Sequence, residues 1–123
     1  MLKILIVEDD SSTAEMLRMI LTKDGYAVRI ERDGSKVLPS VNENIPDLIL
    51  LDAVLPGLDG HTIQKELFDN QATRKIPIIM MTGNAQLEQV FVGKENVSAF
   101  ITKPFTLTTV KEKIKTALKG IRG

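Results

Sequence analysis

The chain reads as an α/β domain, a doubly wound five-stranded parallel sheet with helices on both faces, and three observations predict it. Strand-like and helix-like segments alternate five times from end to end, the pattern of parallel strands joined by crossover helices. Three of the strand-like runs, "ILIV", "LILL" and "IIMM", are apolar without interruption, as strands buried on both faces are. The remaining two are mixed in character, as strands at a sheet edge are.

The elements follow in order. "KILIVE" (3–8) is the first strand. A helix over 12–23 comes next, with Ser11 and Ser12 as its caps and Gly25 as its stop. Thr13, Leu17, Ile20, Leu21 and Asp24 lie along one side of it. "YAVRIE" (26–31) is the second strand, with Val28 and Ile30 set against Arg29 and Glu31. The helix over 35–44 contains Pro39, which must sit in its first turn or bend it, so a short or irregular helix is expected. "DLILLD" (47–52) is the third strand. Asp59 caps a helix over 60–70 that carries Ile63 and Leu67 inward. "IPIIMMT" (76–82) is the fourth strand, and a helix around 85–94 follows it. Gly83 and Gly93 would loosen that helix by about 1 kcal/mol each relative to alanine, if they are helical. Val90, Phe91 and Val92 are consecutive, so one helix face cannot bury all three. Either the helix is distorted and covers each in part, or it offers an apolar patch to a partner. "SAFIT" (98–102) is the fifth strand, and Leu107, Val110, Ile114 and Leu118 form the core stripe of a last helix.

Placing the three apolar strands inside and the two mixed ones at the edges gives the order 2-1-3-4-5, with right-handed crossovers. This is the flavodoxin-like three-layer sandwich. Its switch point lies between strands one and three, so a ligand is expected at their carboxyl ends.

Bulk properties narrow the function. The length, 123 residues, suits one domain, expected over 1–123 with its core at 3–119. Sixteen basic residues balance sixteen acidic ones, so charge gives no support to nucleic-acid binding. No apolar run approaches the roughly 18 residues of a membrane span, and "MLKILIVEDD" is a strand rather than a signal peptide. The absence of cysteine excludes thiol catalysis and a disulfide scaffold, and a cytoplasmic location is expected.

The chemistry concentrates where the switch point predicts it. Glu8, Asp9 and Asp10 follow strand one, and Asp52 ends strand three. Carboxylates crowded together raise one another's pKa or recruit a cation, and hard oxygen donors with room for water suit Mg²⁺. The same acids would repel a flavin phosphate. Thr82 ends strand four with a hydroxyl, and Lys103 ends strand five with an ammonium. Acids, a hydroxyl and a lysine at four successive strand ends point to a metal and phosphoryl site. His61 has no ligand set around it and is expected on the surface. Lys111, Lys113, Lys115, Lys119 and Arg122 read as a solvated basic face.

"ILIVEDD", "DLILLDAVLPGLDG", "IIMMTG" and "FITKPF" resemble the receiver domain of two-component response regulators, chemotaxis-regulator-like in having a single domain. The resemblance runs from Lys3 to Leu118. It implies that Asp52 is the phosphoacceptor, with Thr82 and Lys103 contacting the phosphoryl group. It implies Mg²⁺ held by Asp9, by Glu8 through water, by Asp52 and by the backbone carbonyl of Val54, with Asp10 in a secondary part. Thr82 and Phe100 match the switch positions, and the Lys103-Pro104 bond would be cis. Asn96-Val97 stands where the family has Gly-Ala, a turn in which asparagine tolerates a left-handed backbone.

The function implied is a phosphorylation-controlled signalling switch rather than an enzyme proper. It would take its phosphoryl group from a sensor histidine kinase or a histidine phosphotransfer protein. It would answer through the surface of the fourth helix, fifth strand and fifth helix to a downstream protein, as a monomer or weak dimer. Met19, outside the core stripe of the first helix, is a contact for the phosphodonor on this reading. Val54 and Asn84, neither acid nor base, give no strong acceleration of hydrolysis. The alternative is a protein-binding module of the same fold that works without phosphorylation, against which the intact acid, hydroxyl and lysine set argues. A Mg²⁺-dependent phosphatase would need an Asp-x-Asp motif on strand one and a cap. Only "KGIRG" follows the last helix, so no output domain is expected within the sequence.

Overall fold

The computed structural model describes residues 1–119. Five parallel strands form one sheet in the order β2-β1-β3-β4-β5: β1 Lys3–Val7, β2 Ala27–Glu31, β3 Leu48–Asp52, β4 Ile78–Thr82 and β5 Val97–Thr102. The helices are α1 Ser11–Lys23, α2 Val37–Glu43, α3 Gly60–Asp69, α4 Glu88–Phe91 and α5 Leu107–Leu118. The predicted order holds, with the mixed strands at the edges. β1 starts where the sequence places it and ends one residue sooner, β2, β3 and β4 start one or two residues later than expected, and β5 starts one earlier.

Side chains alternate across the sheet and build two cores. Leu5, Val7, Ile49, Leu51, Ile78 and Met80 face α2, α3 and α4, meeting Val37, Val41, Ile63, Leu67 and Phe91. Ile4, Ile6, Leu48, Leu50, Ile79 and Met81 face α1 and α5, meeting Leu17, Leu21, Val110, Ile114 and Leu118. Every residue of β3 and β4 is buried, which is why their sequences show no polar alternation. Truncating a wholly buried leucine such as Leu50 in such a core costs about 2–5 kcal/mol.

Local capping corrects several expectations. The N-cap of α1 is Asp10, whose carboxylate accepts from the Thr13 N–H at 3.0 Å, while Ser11 and Ser12 are the first helical residues. A carboxylate at a helix start also meets the positive end of the helix dipole, an advantage serine lacks. The buried residues of α1 are Ala14, Leu17 and Leu21; Thr13 and Ile20 are half-buried and Asp24 is exposed. Leu107 is 38% exposed, so the buried stripe of α5 starts at Val110.

α2 is short, as Pro39 requires, and follows a 3-10 turn at Gly34–Lys36 with the proline in its first turn. α4 is shorter than its sequence window. A 3-10 turn at Ala85–Leu87 leads into four α-helical residues, and Gly93 ends them in the left-handed region at φ +84°. Phe91 alone of its trio is buried, while Val90 and Val92 are 42% and 67% exposed. Asn96 is the clearest departure. No residue other than glycine has positive φ among the described residues. Asn96 is buried, accepting from Gln64 Nε2 at 2.9 Å and donating Nδ2 to the Gln64 carbonyl at 3.1 Å. It clasps α3 to the start of β5. Lys103-Pro104 is cis. Arg122 lies outside the described residues.

Candidate phosphoryl and metal site

Strand register brings the site together. Val7 pairs with Leu51, so Glu8, one residue on, comes level with Asp52. Asp52 pairs with Met81, and Thr82 pairs with Thr102, so Thr82 and Lys103 follow at the same end. Parallel strands end together, and loops leaving them converge on one edge.

Glu8 is wholly buried and Asp52 is 5% exposed, whereas Asp9 is exposed. Carboxylate oxygens of Glu8, Asp9 and Asp52 lie within 4.8 Å of one another. Lys103 Nζ donates to Asp52 Oδ2 at 2.8 Å and also to Glu8 Oε1. The second oxygen of each buried acid is bonded as well. Glu8 Oε2 accepts from the Asp10 N–H at 3.1 Å, and Asp52 Oδ1 accepts from the Val54 N–H at 3.0 Å. Every lone pair so engaged lowers the cost of holding two acids out of water.

The charges respond to this arrangement. Burial pushes the Glu8 carboxyl above its ordinary value, outweighing the Lys103 bond and the Asp10 N–H; the Asp52 charge pushes the same way. Burial alone would lower Lys103, but its bonds to Asp52 and Glu8 hold it above its ordinary value and fully protonated. Asp10 is held below the usual carboxylate range by its bonds from the Thr13 hydroxyl and N–H. It serves as a helix cap, and the three-acid cluster is formed by Glu8, Asp9 and Asp52.

Thr82 is 2% exposed, and its hydroxyl oxygen accepts from the Asn84 N–H at 3.2 Å. Its carbonyl accepts from the Lys103 N–H at 2.8 Å, tying the β4 and β5 ends together. Phe100 is half-buried one strand away, its ring 6.3 Å from that of Phe91. His61 is exposed, as expected, and its ring stands T-shaped to that of Phe91, the centroids 5.8 Å apart. Val54 is 62% exposed beside Asp52. The carbonyl of Ala53 accepts from Gly60 N at 3.1 Å, and a Cβ on Gly60 would fall 2.7 Å from the Asp52 carbonyl oxygen. Only glycine lets α3 start this close to the acid.

The donor set fits a small hard cation. Three carboxylates, one of them exposed to water, meet at a strand end with a fixed ammonium beside them, and Mg²⁺ takes such oxygens while retaining water. An anion arriving at Asp52 would meet the Lys103 ammonium, 2.8 Å from Asp52 Oδ2. The sequence reading did not reach the contact of the Asp33-Gly34 turn with the loop after Asp52; the Asp-Gly pair signals a turn but not its partner.

Comparison with known proteins gives a consistent result. A model of the response regulator receiver domain family matches residues 4–115. The DNA-binding response regulator MtrA of Mycolicibacterium paratuberculosis is 35% identical over 118 residues, covering 95% of this chain and 51% of that protein. The chain thus spans about half the length of the curated relatives it matches. The signal receiver domain of a signal transduction histidine kinase from Syntrophus aciditrophicus superposes with a TM-score of 0.88 at 32% identity, covering 99% of this chain and 93% of that one. The receiver domain of the sensor histidine kinase PA1611 from Pseudomonas aeruginosa superposes at 0.86 with 27% identity, covering 95% and 97%. That structure has a magnesium ion coordinated in its active-site cleft.

Proposed function

We propose, from the premise that this chain belongs to the response regulator receiver domain family, that it is a phosphorylation-controlled switch whose phosphoacceptor is Asp52. The observation that carries the reading is the bond from Lys103 Nζ to Asp52 Oδ2 at 2.8 Å beside a cluster of three carboxylates. Glu8, Asp9 and Asp52, with the Val54 carbonyl, would hold Mg²⁺. When bound, Mg²⁺ supplies charge neutralisation for the phosphoryl oxygens.

The chain's own residues do the rest. A carboxylate oxygen of Asp52 forms a bond to phosphorus, and the bond from phosphorus to a donor histidine nitrogen breaks, its electron pair leaving with the imidazole. Lys103 stays protonated and pairs with the developing negative charge. The Thr82 hydroxyl, now accepting from Asn84, would turn to donate to a phosphoryl oxygen. That motion opens space near β5, where Phe100 lines a cavity of about 200 Å³ with Phe91, Val92 and Val97. Rearrangement there alters the α4–β5–α5 face, a local charge event read out by a mobile element. α4 suits that part because four residues of helix hold few internal hydrogen bonds.

The donor would be a histidine kinase or histidine phosphotransfer protein, and Met19, 69% exposed on α1, would lie in its contact surface. A downstream protein would read the α4–β5–α5 face. Among the described residues no helix is long and apolar enough to cross a membrane.

Fluorine NMR with beryllofluoride, a phosphoryl mimic, tests the site. A bound resonance that requires Mg²⁺ and is absent in Asp52→Asn supports it. Binding that persists in Asp52→Asn overturns it.

A further inference from the structure

The β2–α2 turn and the loop after Asp52 interlock through two glycines. The Gly34 N–H donates to the Pro56 carbonyl at 2.9 Å, and Gly34 is buried. A Cβ on Gly34 would lie 1.7 Å from the Leu58 carbonyl oxygen and 2.9 Å from the Leu58 nitrogen. These are backbone atoms, so no side chain can swing away to make room. In the other direction, Gly57 sits at φ +79°, and a Cβ there would come 2.2 Å from Asp33 Oδ1. That oxygen is itself fixed, accepting from the Ser35 N–H and hydroxyl at 2.8 Å each. Each loop therefore leaves a gap that the other fills.

The loop so gripped runs from Val54 to Asp59 and carries the N–H that bonds Asp52 Oδ1. Its far end is fixed by the Gly60 bond to the Ala53 carbonyl. In its middle, Leu55 and Leu58 pack against the core while Pro56 and Gly57 between them are exposed. Asp33 and Gly34 brace that exposed part through Pro56 and Gly57.

We infer that Asp33 and Gly34 are positioning residues for the phosphoacceptor: their latch on Pro56, Gly57 and Leu58 holds Val54 against Asp52 and so orients the carboxylate. The inference rests on Asp52 as the reacting group, but its primary test does not. The test compares wild type, Gly34→Ala, Asp33→Ala and Gly25→Ala. Gly25 has φ +96° with open space around it, so its alanine variant strains the backbone far from the site and serves as a control for lost stability. The readout is exchange of the Val54 amide hydrogen, resolved by NMR, relative to core amides of β3.

The latch predicts Val54 exchange faster by about tenfold or more in Gly34→Ala, and smaller but clear acceleration in Asp33→Ala, with β3 amides matching the control. Val54 exchange that tracks the β3 amides equally in Gly34→Ala and Gly25→Ala overturns it. Should Gly34→Ala fail to fold, Asp33→Ala alone decides. Mn²⁺ affinity, followed by paramagnetic resonance on the same proteins, separates the two readings. Failure of wild type to bind Mn²⁺ counts against the metal site, while the Val54 exchange still decides the latch.

Discussion

Lys103 Nζ and Asp52 Oδ2 are 2.8 Å apart across 51 positions of sequence, and the same ammonium bonds the buried Glu8. A single cation thus compensates two carboxylates held out of water. Removing one partner of such a group is costlier than never having formed it. Lys103→Met should therefore destabilise the metal-free protein by roughly 3 kcal/mol, and added Mg²⁺ should restore part of the loss. Urea unfolding with and without Mg²⁺ measures both effects. An unchanged midpoint without metal would show that the acids do not depend on Lys103.

Asp59 caps α3, its Oδ1 accepting from the Thr62 N–H at 2.8 Å, and that bond holds its carboxyl below the ordinary aspartate range. A depressed folded pKa means the contribution is complete above the unfolded value and lost as pH falls through the folded one. Asp59→Ala should cost about 1 kcal/mol at neutral pH. The gap from wild type should stay level down to the unfolded aspartate value of about 3.9 and close below it. Unfolding midpoints across that range check the sign; a gap that widens in acid would contradict it.

Gln64 and Asn96 satisfy each other in the interior. Asn96→Leu strands the Gln64 amide and should cost roughly 2 kcal/mol. Adding Gln64→Leu should cost far less than the two single changes summed, because no orphan remains. Strict additivity in the double-mutant cycle would mean the clasp contributes nothing as a pair.

Met19 is 69% exposed on the face of α1 away from the core. Met19→Asp should slow transfer from a phosphohistidine protein donor by about tenfold or more, an interface loss on the order of 1.4 kcal/mol, and leave labelling by acetyl phosphate intact. Comparing the two donors isolates docking from chemistry. Equal rates with the protein donor would remove Met19 from the contact surface.

Much of this was legible in the sequence because the information was local. Continuous apolar runs mark buried strands, and their ends place Glu8, Asp52, Thr82 and Lys103 at one edge once the strand order is known. Asp59 and Pro39 likewise act within a turn of their own positions. Some of the failures are tertiary and some are local. Asn96 looked like a turn residue because nothing local reveals that Gln64, 32 positions earlier, would reach it. Ala14 rather than Thr13 enters the core because a shift of one residue turns a helix by about 100°, and Asp10 rather than serine sets the start. α4 stops short of the 85–94 window because Gly93 does more than loosen the helix: it takes a left-handed φ of +84° and ends it. The fit of Gly34 against Leu58 depends on two loops meeting, which spacing does not encode.

The most direct test of Asp52 as phosphoacceptor is intact-protein mass spectrometry after incubation with acetyl phosphate, with Mg²⁺ or with chelator, on wild type and Asp52→Asn. The account predicts one phosphoryl adduct on wild type, dependent on Mg²⁺ and absent from Asp52→Asn. An adduct of equal yield on folded Asp52→Asn, or one indifferent to Mg²⁺, would contradict it.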